Sequence, residues 1–342
     1  MVTMQDVARA AGVSAMTVSN VLAGRGRVSD ATRRTVLAEV ERLGYEVDLS
    51  ARRLRAGRTG AIALVVPFYD HVFYGEFAAD AARAAAAAGL HLVVEQTGAT
   101  REGELRALST ARLRTYDGVL LSPIGLSDAD LDRLDTRVPV VLLGERPSHP
   151  RFDHVAMPNV DGACLATARL IEGGARRVAI CGGDPGGSDT MPALRAEGWR
   201  LAHERAGLAA DPRLALDAGD HTAAGARAGV ARALGRGAEV DAIFAVTDQV
   251  AIGAVAGLAD AGLAAGADVE VIGFDNLRIA REVAGGISTI DPGSAWIAER
   301  AVGLLRARID GYTAPPAHLT SSATLVERAT TRDRARTQGR TR

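Results

Sequence analysis

From Gly60 onward the chain alternates short apolar runs with helical stretches, and this alternation limits its fold more than any other feature. Ile62–Val66, Leu90–Glu95, Gly118–Leu121, Val140–Leu143, Val178–Cys181, Ala242–Val246 and Val269–Gly273 read as strands. Helical stretches such as Glu76–Ala88 and Asn159–Ile171 lie between them, and the alanine run Ala84–Ala88 is helix ended by Gly89. Strands separated by helices predict parallel sheets covered by helices on both faces. A chain of 342 residues is long enough for two such sheets and a smaller unit. Apolar residues make up 47% but aromatics only 4%, so the cores are expected to be built from Ala, Val, Leu and Ile.

The first 46 residues follow a different pattern. Thr3 is placed to cap a helix with Asp6 reaching back, and Gly12 ends it. Ser14 caps a second helix, Ala15–Leu22, and Ser29 caps a third, Asp30–Leu43, which Gly44 closes. Two helices joined by a glycine turn and braced by a third form a helix-turn-helix unit. An ordinary three-helix bundle has the same spacing. The second helix, however, presents Ala15, Met16, Thr17, Ser19 and Asn20, short or hydrogen-bonding residues that can approach base edges in a major groove. Arg25, Arg27, Arg33 and Arg34 flank it as candidate phosphate contacts.

Charge is divided along the chain. Net charge is −1, yet residues 1–58 hold ten arginines against six acids, and Glu327–Arg342 hold six against two, so the middle is acidic. A basic head on an acidic body suits a partner made of phosphate. Residues 47–58 form a helical pattern too short to be stable alone. Its arginines at 52, 53, 55 and 58 repel one another until phosphates neutralise them.

At this point a family becomes visible. Met4–Ser14, Thr17–Leu22, Val28-Ser29, Thr32-Arg33, Leu43-Gly44-Tyr45 and Ala51–Arg55 closely resemble the opening of lactose-repressor-type (LacI family) regulators, and the resemblance runs on to about residue 331. It implies an all-α helix-turn-helix head over 1–46, a hinge helix over 47–58 and an α/β core over 59–331, with an arginine-rich disordered tail at 332–342. The core would be two-lobed and periplasmic-binding-protein-like, with two doubly wound parallel sheets. Lobe 1 would take about 59–157 and 290–316, and lobe 2 about 158–287 and 317–331, with crossings near Met157–Pro158, Ile287–Asp291 and Pro315–Thr320. The implied base readers are Ala15, Met16 and Asn20, following Ser14, with Thr17 and Ser19 on phosphate. Ala51, Arg52, Leu54 and Arg55 would fold against the minor groove, Leu54 wedging between base pairs. The implied partners are near-palindromic double-stranded operator DNA, a small-molecule effector such as a sugar, and a second copy of the chain. The tail carries no leucine heptad, so a dimer is expected rather than a tetramer.

Ligands on such sheets sit beyond the C-terminal strand ends. The candidate effector residues there are Phe68, Tyr69, Asp70, Phe73, Gln96, Ser122, Glu145, Thr247, Asp248 and Asp275. Arg195 joins them by resemblance to an Arg-x-x-Gly-aromatic signature, Arg195–Trp199, as does Asp275 in Gly273-Phe274-Asp275-Asn276. Arg195 and Asp275 are expected to face each other across the ligand and grip vicinal hydroxyls. His221, Pro158, Pro292 and Thr247 depart from common family choices around the cleft. A known relative's effector therefore does not carry over, and an effector-independent regulator stays open.

Other readings are set aside. Gly182–Gly187 lacks GxGxxG spacing and a following Lys, so a cleft loop is expected rather than a phosphate loop. The seven His form no close ligand set, and no catalytic constellation or cofactor motif stands out, so neither an enzyme nor a metal or cofactor is expected. Cys164 and Cys181 read as buried free thiols. No apolar run reaches the roughly 18–20 residues of a membrane span, and the start shows no signal pattern, so a cytoplasmic protein is expected. A small-molecule receptor without a DNA role shares the core but leaves the head unexplained.

Overall fold

The computed structural model describes residues 2–22, 28–45, 58–145, 149–187 and 189–332. The chain divides into two compact units, Met1–Thr59 and Gly60–Arg342.

In the first unit, α1 spans Met4–Ala10, α2 Ala15–Leu22 and α3 Asp30–Leu43. Each start is capped as the sequence predicts. Asp6 N donates to Thr3 Oγ1 at 3.3 Å while Thr3 N donates to Asp6 Oδ2 at 3.0 Å, a reciprocal box. Thr17 N donates to Ser14 Oγ at 3.1 Å, and Thr32 N to Ser29 Oγ at 3.2 Å. Gly44 closes α3 in the left-handed conformation at φ 61°. Val7, Ala8, Val18, Val21, Val36 and Tyr45 meet in a small core.

The second unit begins with β1 (Ala61–Val66), α4 (Val72–Ala87), β2 (His91–Gln96), α5 (Arg101–Ala107), α6 (Thr110–Leu113), β3 (Gly118–Leu121), α7 (Asp128–Arg133), β4 (Val140–Leu143) and β5 (Asp153–Ala156). It continues with α8 (Asn159–Glu172), β6 (Val178–Cys181), α9 (Met191–Arg205), β7 (Ala215–Leu216), α10 (Ala223–Gly235), β8 (Ala242–Ala245), α11 (Asp248–Asp260) and β9 (Glu270–Phe274). It ends with β10 (Ser288–Asp291), α12 (Ser294–Ile309), β11 (His318–Thr320) and β12 (Thr324–Val326). Two sheets result, ordered β11-β5-β4-β3-β1-β2 in lobe 1 and β12-β10-β9-β8-β6-β7 in lobe 2. Every described pairing between named strands is parallel except β10 with β12. The central strands β1, β3, β4, β6, β8 and β9 are buried along their whole length, as parallel strands covered on both faces must be.

Two expected crossings shift. The run Ile287–Asp291 was expected to leave lobe 2, but Ser288–Asp291 is β10 and pairs with β9, so that crossing falls at Pro292-Gly293. Ser288 and Thr289 hide the strand from an apolar pattern; their hydroxyls are satisfied by Thr331 at 2.8 Å and Asp248 at 2.5 Å. The third crossing was expected near Pro315–Thr320, but His318–Thr320 is β11 on the edge of lobe 1, so it falls at 321–323. The first crossing lies at Met157–Pro158 between β5 and α8, where it was expected. Ser321 ties the three together: its N donates to Ala156 O at 3.1 Å and its hydroxyl to Pro292 O at 2.6 Å.

Lobe 2 is sealed by close helix packing. A Cβ on Gly198 of α9 would stand 2.2 Å from Val160 O of α8, so only glycine lets the two helices approach this closely. The approach buries Trp199, whose Nε1 donates to Val178 O at 2.9 Å. Cys164 and Cys181 are buried free thiols. We expect Gly198→Ala to destabilise the core unit by about 1–3 kcal/mol, the cost of forcing a methyl into packed backbone; urea unfolding of the variant beside the parent protein measures this.

Candidate functional site

The head offers one face for a long partner. Met16 is 73% exposed at its centre, and Ser19 and Asn20 stand three and four residues on, on the same side of α2. Ala15 is not fully on this face; its methyl packs against the head's core. Ser14 and Thr17 are engaged with each other, their hydroxyls 2.9 Å apart at the cap. Arg33 is half-buried on α3. Arg25, Ala51, Arg52, Leu54 and Arg55 lie outside the described residues, as does the expected tail from 333 on.

In the core unit the C-terminal ends of both sheets face one cavity of about 500 Å³. Phe68, Phe73, Ser122, Glu145, Arg195, His221, Thr247 and Asp275, all expected there, line it. Four expected residues do not. Tyr69 donates its hydroxyl to Val94 O at 2.9 Å and its N to Gln96 Oε1 at 2.8 Å, so Tyr69 and Gln96 brace the loop after β1. Asp70 is exposed beyond the cavity wall. Asp248 lies beneath it, accepting from Leu277 N at 2.7 Å and Thr289 Oγ1 at 2.5 Å.

Other lining residues escaped the sequence reading. His71, Tyr74 and Phe77 project from α4, and Thr190, Met191 and Pro192 from the start of α9. Phe73, Tyr74 and Phe77 sit at helical spacing, the signal that marks a core stripe, so only packing shows that they also face the cavity. Pro123 and Ile124 line it because buried Glu104 holds their turn, its carboxylate accepting from the N–H groups of Ile124, Gly125 and Leu126 at 2.8, 2.9 and 3.0 Å. At the mouth the lobes touch, Arg278 N donating to Glu76 Oε1 at 3.0 Å.

Arg195 is the best-determined group of the site. It is 2% exposed. Its Nε donates to Asn159 Oδ1 at 2.9 Å, its Nη1 to Val246 O, and both terminal nitrogens stand 3.4 Å from Asp275 Oδ1. The guanidinium stacks over Phe274, 3.5 Å from the ring centre. Arg195 and Asp275 were expected on opposite sides of a ligand. They are instead partners on the same lobe, because the turn after β9 brings Asp275 under α9. That turn is strained, with Asp275 at φ 111° and Asn276 at φ 53°. It is held by Asp275 N to Ile290 O at 2.9 Å, Asn276 Nδ2 to Asp291 Oδ2 at 2.9 Å and Arg328 Nη2 to Asn276 Oδ1 at 2.5 Å.

Burial governs protonation here. It pushes the Asp275 carboxyl up to about 7, although the neighbouring Arg195 pulls it down. Burial also raises Asp248 well above the usual carboxylate range and lowers His71. Among the described residues no His, Cys, Asp or Glu cluster is placed to hold a metal ion, and no helix is long and apolar enough to cross a membrane. Gly182–Gly187 is a loop whose turn Asp184 holds, accepting from Gly186 N at 3.1 Å.

Comparisons with known proteins agree with this geometry. Residues 3–48 match the family described as bacterial regulatory proteins, lacI family, and residues 167–331 match the periplasmic binding protein-like domain. The HTH-type transcriptional regulator AscG of Escherichia coli strain K12 is 31% identical over 332 residues, spanning 96% of this chain and 98% of its own length. The solved complex of the transcriptional regulator CelR with cellobiose is 29% identical with a TM-score of 0.71, over 96% of this chain and 100% of that one. The lac repressor dimer bound to operator and the anti-inducer ONPF is 25% identical with a TM-score of 0.82, over 97% of this chain and 99% of that one.

The raised carboxyl carries a pH signature. The folded protein keeps a proton on Asp275 that the unfolded chain releases near pH 4, so this group's contribution to stability is full at low pH and is lost as pH rises toward about 7. Asp275→Asn removes that loss. Across pH 4 to 7 in urea unfolding, the variant's stability relative to the parent should climb steadily; a constant difference would contradict the assignment.

Proposed function

The chain belongs to the LacI family of bacterial regulatory proteins and is a DNA-binding regulator of transcription rather than an enzyme; from this premise we propose that it is a repressor whose grip on a near-palindromic operator is set by a small polar effector, a sugar or related metabolite, held between its two lobes. The observation that carries the reading is the cavity. Both sheets end on it, and a fully tied Arg195–Asp275 pair forms one wall. Such a pair offers a fixed acceptor to ligand hydroxyls with no reorganisation. A relative solved with cellobiose supports a sugar-like ligand, and one solved as a dimer on its operator supports a homodimer with two heads on two half-sites. In this reading Met16 and Asn20 read bases, Ala15, Ser14, Thr17, Ser19, Arg25 and Arg33 shape or anchor that contact, and the protein works in the cytoplasm, where its operator is.

The segment 47–58 gives the coupling a physical basis. It is too short to be helical alone and rich in arginine. Ordered on a duplex, Ala51, Arg52 and Arg55 would meet phosphate and Leu54 would wedge into the minor groove. An effector that binds one arrangement of the lobes better than another then changes operator affinity by about 5–150-fold, the usual span of such couplings.

Two results are expected. Selection from random duplexes should yield near-palindromic sites, and Leu54→Ala should weaken binding to the selected site at least tenfold at equal salt with unchanged melting; footprinting that shows no loss rejects the wedge. Arg195→Lys keeps a positive charge beside Asp275 but loses the contacts to Asn159 and Phe274 that orient the wall. Its operator affinity should stay within about twofold of the parent while effector response falls at least tenfold, read by fluorescence anisotropy with and without ligand. A variant that responds as the parent does would place the effector elsewhere.

A further inference from the structure

Resting on the effector reading above, the walls of the cavity say more about what fills it. They differ in chemistry. On the lobe 1 side, Leu64, Val66, Phe77, Leu143, Val155 and Ile297 line it while being at most 6% exposed, and all belong to that lobe's hydrophobic core. The recess therefore opens directly onto the core. Phe73 stacks on Phe77 with ring centres 5.8 Å apart and meets Tyr74 edge-on at 5.3 Å, so a ring entering the recess finds both aromatic faces and edges. The Ser122 hydroxyl on this wall already has the Tyr74 hydroxyl 3.2 Å away. On the lobe 2 side, Thr190, Arg195, Asp220, His221, Thr247 and Asp275 are all polar.

A sugar hydroxylated on every side satisfies the second wall but would bury hydroxyls against the first without partners, which is costly. A wholly apolar molecule would strip water from the second wall and replace nothing. Charge narrows the class further. Among the described lining residues, Glu145, Asp189, Asp220 and Asp275 face a single guanidinium, and the N–H groups of Arg195 are already given to Asn159, Val246 and Asp275. A phosphorylated ligand would enter a negative potential with no cation to receive it. We propose that the effector is a neutral glycoside with an aromatic aglycone, its ring in the lobe 1 recess and its sugar hydroxyls on the lobe 2 wall.

The test uses the full chain and matched pairs of methyl and phenyl glycosides of the common pyranoses, with one sugar phosphate, in isothermal titration calorimetry. Operator affinity is recorded with the same compounds. For at least one sugar, the phenyl glycoside should bind at least tenfold more tightly than its methyl partner, and the sugar phosphate should not bind. Phe73→Ala should remove most of the phenyl advantage and leave the methyl glycoside unchanged. Should the alanine variant unfold, Phe73→Leu, which keeps bulk but not the ring face, gives the same readout. Equal affinities within every pair overturn the aromatic assignment while leaving a sugar-sensing repressor standing. Tightest binding by the phosphate, or no binding by any member, also overturns it. The effector reading fails separately, when ligands that bind leave operator affinity unmoved.

Discussion

The core is organised around one buried cation. A guanidinium taken out of water must be paired and hydrogen-bonded or its burial costs several kcal/mol. Arg195 meets that demand with acceptors from three elements: Asn159 at the start of α8, Val246 at the end of β8 and Asp275 at the end of β9. Phe274 supplies the face beneath it. Each acceptor sits at a strand or helix end facing the cavity. The requirement that satisfies the arginine therefore also fixes the wall on which a ligand lands.

The supporting residues lie outside the cavity. Asp275 and Asn276 hold backbone angles that L-residues rarely adopt, and they do so because Ile290, Asp291, Thr289 and Arg328 bind them from behind. Asp248 pins the following Leu277. Asp291 also accepts from Gly293 N at 2.7 Å at the second crossing, and Ser321 joins all three crossings. The strained turn is thus linked by hydrogen bonds to the segments on which the lobes would pivot. Ligand contact at Asp275 and movement at the crossings share a short path, which gives the proposed coupling a concrete route.

Much of this was legible beforehand, for identifiable reasons. The capped helices of the head appear where Thr3, Ser14, Ser29 and Gly44 put them, since capping is a local preference. β3, β4 and β6 have the bounds their apolar runs predict. β5, β7, β10, β11 and β12 were missed because they are short or carry Asp, His, Ser and Thr, whose burial depends on partners far along the chain. The cleft candidates divided for the same kind of reason. Tyr69 and Gln96 have ligand-like side chains, yet each is consumed by the other's loop.

What the amino-acid order determined alone was the set of elements and the family signatures, because helix caps, period and apolar runs act over a few residues. What only the tertiary structure decided was which side chains share a space. That Arg195 pairs with Asp275 on one lobe, that Asp248 is a brace, and that an apolar recess of lobe 1 faces a polar wall of lobe 2 all follow from residues tens to hundreds of positions apart. Desolvation and packing act on distance in space, and no local pattern encodes it.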